Sequence, residues 1–77
     1  MNRSNTRILY PPEEILNPII GKTDYEYVIL WMLNNNDFCE WSDFTEEISE
    51  STLSGNLRKL MNKSYITKPE KGKYEIT

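Results

Sequence analysis

The 77-residue sequence contains no histidine, one cysteine (Cys39) and three glycines. Without histidine no side chain has an ordinary pKa near neutrality, and a serine or cysteine nucleophile has no usual base to activate it. A lone cysteine closes no intramolecular disulfide and, with no histidine beside it, builds no structural zinc site. No glycine-rich phosphate loop is present, and the adjacent carboxylates Glu13-Glu14 and Glu46-Glu47 diverge on a helix instead of converging. The chain therefore reads as a non-enzyme for which no cofactor or metal is expected. No apolar run approaches the roughly 20 residues that span a bilayer, and the polar opening MNRSNTR lacks the apolar core of a signal peptide. The expected location is the cytoplasm, where Cys39 serves as a small buried apolar residue.

With 38% hydrophobic residues, a domain of this size buries only about 60% of the surface its unfolded chain exposes. Small domains compensate with disulfides, metals or a partner, and here only the partner remains. The net charge of −3 is unevenly spread. Residues 51–77 hold six basic groups against two acidic ones, or +4, whereas residues 1–50 hold three against ten, or −7. No acidic residue occurs from Ser51 to Pro69. Such a split suggests one face made for a polyanion.

Residues 1–22 read as an N-terminal arm, because Pro11, Pro12 and Pro18 interrupt any long element while Ile8, Leu9, Ile15, Leu16, Ile19 and Ile20 supply apolar surface. One helical turn is expected at Pro12-Glu13-Glu14-Ile15-Leu16. Thr23 and Glu26 form a capping-box spacing ahead of a first helix that begins near Tyr25. Its apolar run, residues 27–33, is too wide for one core-facing stripe and predicts burial on more than one side. The run Asn34-Asn35-Asn36-Asp37 ends it. Phe38 to Trp41 alternates like a short edge strand, and Ser42 suits an N-cap for a second helix over residues 43–48. A third helix, about residues 52–63, turns Leu53, Leu57 and Leu60 inward and presents a small, polar, cationic face. Two β-rich runs separated by Pro69-Glu70-Lys71-Gly72 predict a closing hairpin with a four-residue loop.

This order of elements, with the segment ISESTLSGNLRKLMNKSYITKPEKGKYEIT, resembles the winged helix-turn-helix family, and in particular bacterial and archaeal transcriptional repressors of the multiple-antibiotic-resistance and arsenical-resistance types. The resemblance covers residues 23–77. It implies a mainly α fold with a small β-hairpin (α+β), three helices and an N-terminal arm. It also implies sequence-specific binding of double-stranded DNA by a small transcriptional regulator, with the helix at 52–63 in the major groove and a wing at 65–77 on the backbone or minor groove. Ser51, Thr52, Ser54 and Asn56 become candidates for base or phosphate hydrogen bonds, with Asn56 suited to adenine. Arg58, Lys59, Lys63, Lys71 and Lys73 become candidates for phosphate, and Arg58 also for guanine. About five phosphates neutralised would give a salt slope near −4.5.

The sequence departs from the family pattern at Gly55, where a long side chain is common, and at Ser64, which replaces a glycine between helix and wing. Many such repressors also continue into a dimerising helix; here the far face of residues 27–33 is open to two readings, cover by the arm within one chain or a homodimer through residues 27–33 or the arm. Arg3 and Arg7 are candidates for a minor-groove contact. The alternative reading is a winged-helix module for protein contacts in a larger assembly, without DNA binding. The acidic residues Glu46, Glu47 and Glu50 favour it, as would exposure of Tyr25 and Trp41.

Overall fold

Leucines three and four apart and a seven-residue apolar run draw two helices onto a small sheet. The computed structural model describes residues 8–19 and 21–77. Among these there are four helices, α1 (Glu13–Leu16), α2 (Tyr25–Asn35), α3 (Trp41–Phe44) and α4 (Glu50–Asn62), and three strands, β1 (Cys39–Glu40), β2 (Ile66–Glu70) and β3 (Lys73–Ile76). The fold is α+β, with one antiparallel sheet in the order β1-β3-β2. The expected hairpin is therefore part of a three-stranded sheet. Cys39 pairs with Tyr74 and Glu40 with Lys73, so the strand expected at an edge uses β3 as its neighbour.

The core comprises Val28, Ile29, Met32 and Leu33 of α2, Leu53, Leu57 and Leu60 of α4, and, from the rest of the chain, Cys39, Phe44, Ile48, Ile66 and Tyr74, and no polar side chain is buried among the described residues. Phe44 and Tyr74 meet edge to face at 6.1 Å between centroids, a geometry that adds to their area burial. Ile8, Tyr10, Ile15 and Leu16 of the arm lie against this core. Asn36 clasps the arm twice, accepting from the Leu9 N–H at 3.0 Å and donating through Nδ2 to the Leu9 carbonyl at 3.1 Å. The Tyr10 hydroxyl donates to the Asp43 carbonyl at 3.0 Å.

Several boundaries differ from the sequence expectation, each for a local reason. The cap of α2 is Asp24, whose Oδ1 accepts from the Tyr27 N–H at 3.2 Å. Thr23, expected in that role, instead donates its hydroxyl to the Leu16 carbonyl at 2.7 Å and ties the arm to the helix start. α3 begins before Ser42 because Glu40 and Asp43 form a reciprocal capping box, with Asp43 Oδ2 accepting from the Glu40 N–H at 2.9 Å. It ends at Phe44, and residues 45–47 form a turn in place of the rest of the expected helix. α4 starts two residues before the expected position, with Glu50 in its first turn where the helix dipole favours a carboxylate. The hairpin closes in two residues, Lys71 and Gly72, with Gly72 at φ +78°. Pro69 lies within β2 at a register shift between Thr67 and Glu70, where a missing N–H is tolerated.

Candidate nucleic-acid interface

α4 carries most of the residues that the sequence singles out. Its inner stripe is buried, and this rotates Ser51, Ser54, Arg58, Lys59 and Asn62 outward, where they are exposed. Thr52, Gly55 and Asn56 are half-buried at its flank. Two of the expected hydrogen-bonding groups are already engaged. Thr52 Oγ1 accepts from Ser49 Oγ at 3.0 Å, and Asn56 Nδ2 donates to the Thr52 carbonyl at 2.8 Å. Bidentate contact with adenine uses Oδ1 and one of the two Nδ2 hydrogens, so the bond to Thr52 leaves one N–H and Oδ1 of Asn56 to offer while fixing the orientation of the amide. Ser51 and Ser54 keep their hydroxyls clear of any hydrogen bond among the described residues.

The cations divide in the same way. Arg58 and Lys59 are exposed and make no ion pair among the described residues, and Lys71 is exposed at the hairpin turn. Lys63 forms an ion pair with Glu26 of α2 at 3.2 Å and lies 6.0 Å from the Tyr65 ring centroid. Lys73 is half-buried, 4.3 Å above the Phe38 ring, and 3.9 and 3.8 Å from Glu70 and Glu75. It fastens β3 to the segment before β1 more than it faces outward. Lys68, over the Tyr74 ring at 5.7 Å, is exposed and joins the outward cations of the hairpin.

The junction between α4 and β2 sets the direction of the hairpin. Ser64 has a left-handed backbone, φ 64°. The Ser64 N–H donates to the Met61 carbonyl and the Tyr65 N–H to the Leu60 carbonyl, both at 3.0 Å, which is the paired closure of a helix end by a left-handed residue. The Trp41 N–H donates to the Gly72 carbonyl at 2.9 Å. The turn is thus anchored to the start of α3, and the hairpin is short.

Arg3 and Arg7 lie outside the described residues. Tyr25 and Trp41 are half-buried against the core, so the exposure that would favour a protein-contact role for them is not met. Glu46, Glu47 and Glu50 are exposed. No group of three or more metal-ligating side chains occurs among the described residues, and no described helix is long and apolar enough to cross a membrane.

One feature went unread in the sequence. Tyr27, Leu30, Trp31, Asn34 and Asn35 of α2 and Ile76 of β3 line an open groove of about 360 Å³. The width of the apolar run signalled an extra face on α2, but the part played by Ile76 depends on a contact between residues distant in sequence.

No protein-family model matches the chain, and neither a curated protein nor a solved structure matches it.

Proposed function

We propose that the protein binds double-stranded DNA sequence-specifically, as a small regulator of transcription with a winged helix-turn-helix fold. In this reading α4 enters the major groove and the β2–β3 hairpin lies on the backbone. The observation that carries it is the outer face of α4, where Arg58 and Lys59 stand exposed beside Ser51, Ser54 and Asn62, with no acidic residue in the sequence between Glu50 and Glu70. The chain order α2-β1-α3-α4-β2-β3 and the sheet order β1-β3-β2 support it, since a helix pair followed by a hairpin is the frame that presents such a face to a groove. Because Lys63 and Lys73 are held by carboxylates, the phosphate contacts fall to Arg58, Lys59, Lys68 and Lys71. Ser51 and Ser54 are the first candidates for base edges.

Selection of bound duplexes from a random pool, followed by mobility shifts, tests the reading. The expected result is an enriched motif whose affinity is lost in Arg58→Glu/Lys59→Glu while the fold is retained by circular dichroism. An unenriched pool, or a charge-reversed protein that binds as before, overturns it. The groove on α2 favours the second reading, a module for protein contacts, which predicts that the same double variant keeps its function.

A further inference from the structure

Lys59 in the last turn of α4 and Lys63 at its C-cap stand four residues apart on one flank, about 6 Å along the helix axis at about 1.5 Å per residue. Both are exposed, and what differs is their company. Lys59 makes no ion pair among the described residues, whereas Lys63 Nζ donates to Glu26 Oε1 of α2 at 3.2 Å, with the lysine side chain 49% exposed and the glutamate 27%. Lys63 is thus not withdrawn onto a ring as Lys73 is. It stays at the surface with a carboxylate where a phosphate oxygen would sit. The charge of Glu26 suits the start of a helix, but that end is already capped by Asp24, whose Oδ1 accepts from the Tyr27 N–H. Among the described residues the Glu26 side chain reaches instead to a partner 37 positions away in the chain.

We propose that Glu26 is a built-in competitor of DNA phosphate: it holds Lys63 off the backbone and thereby limits the affinity of the α4 face for any duplex. The inference rests on the DNA-binding reading and adds to it the residue that sets binding strength. A lysine ammonium is a compact point charge without the planar fork that would favour one anion's geometry. Turning Lys63 to a phosphate would exchange one attraction for another and leave the Glu26 carboxylate beside the DNA strand, like charge against like charge. The pair therefore persists in the complex. An exposed pair adds little to the fold, so the main effect of the carboxylate falls on what Lys63 can bind. Phosphate contacts position a protein without reading sequence, so withholding one weakens binding to every duplex by the same factor and leaves base contacts as they were.

The whole chain is titrated with its selected duplex and with a scrambled one over a range of potassium chloride, as wild type, Glu26→Gln, Lys63→Met and the double variant. Neither side chain belongs to the core, and glutamine keeps the size of Glu26 while removing its charge. Glu26→Gln should steepen the slope of log affinity against log salt from about −3.6 to about −4.5, which is about eightfold tighter binding at about 0.1 M salt. The gain should be the same on both duplexes. With Lys63→Met in place, Glu26→Gln should change affinity no more than about twofold, since only a screened repulsion is left to remove. Equal tightening with and without Lys63 overturns the proposal, because lost negative charge alone would then account for it. Unchanged affinity in Glu26→Gln, or a gain confined to the selected duplex, overturns it as well. A wild-type chain that selects no duplex overturns the DNA-binding reading and this proposal together, before any variant is compared.

Discussion

Ser64 holds a backbone conformation that costs an L-residue roughly 1–2 kcal/mol and glycine nothing, and it does so to close the end of α4. Its hydroxyl does not appear in any hydrogen bond among the described residues; its N–H closes α4 and its carbonyl accepts from Thr77 Oγ1 at 2.9 Å. Ser64→Gly should therefore stabilise the fold by about 1 kcal/mol, less the extra entropy of an unfolded glycine. Urea denaturation measures it, and a loss of stability would refute the strain argument. Tyr10 gives a second test. Burial, with the negative charges of Asp43, Glu46 and Glu47 adding to it, pushes its phenol above the ordinary 10.0, and its O–H bonds the Asp43 carbonyl. Below pH 10 both folded and unfolded chains keep the proton and the contribution is complete. Above it the unfolded chain ionises first, so the contribution declines as pH rises through the folded pKa. Tyr10→Phe should cost about 1 kcal/mol at neutral pH, and the gap between the two proteins should narrow in alkali.

At the scale of elements, the two long helices and the single turn of α1 were legible, whereas the bounds of α3 were not. Leu53, Leu57 and Leu60 located α4 because they form a stripe that only one helical phase supplies, and the uninterrupted apolar run at 27–33, behind a capping signal and ahead of three asparagines, located α2. The start of α3 was misjudged because Ser42 is a good cap in isolation, whereas Glu40 and Asp43 satisfy two backbone groups at once. The pairing of β1 with β3 joins residues more than thirty positions apart, which no local pattern encodes. The exposed face of α4 was read from the same leucines, but the ion pair of Lys63 with Glu26 and the withdrawal of Lys73 onto the Phe38 ring were not. Gly55 is the remaining oddity of α4. A methyl group built there meets nothing within 4 Å, so Gly55→Ala should stabilise the protein by about 1 kcal/mol through helix propensity alone. DNA affinity should stay unchanged, and a sharp loss would mean that the α4 backbone approaches DNA too closely for a methyl group.

The molecule as a whole is acidic yet carries its positive charge at one end of the sequence, and this makes its salt dependence a whole-molecule property. Residues 1–50 at −7 are repelled by DNA, so an approach led by α4 and the hairpin is the only one that electrostatics favours. Four outward cations give an expected slope of log affinity against log salt of about −3.6 per protomer, at about −0.9 per phosphate. If two chains occupy two half-sites, the slope doubles to about −7.2. Arg58→Ala with Lys59→Ala should make the slope about 1.8 shallower per bound protomer, and stability should hardly change because both side chains are exposed. Titrating wild type and variant over a range of potassium chloride, on a full site and on a half-site, separates the possibilities. A slope that is equal on both sites means that single protomers bind, and a slope indifferent to the double substitution moves the interface away from α4.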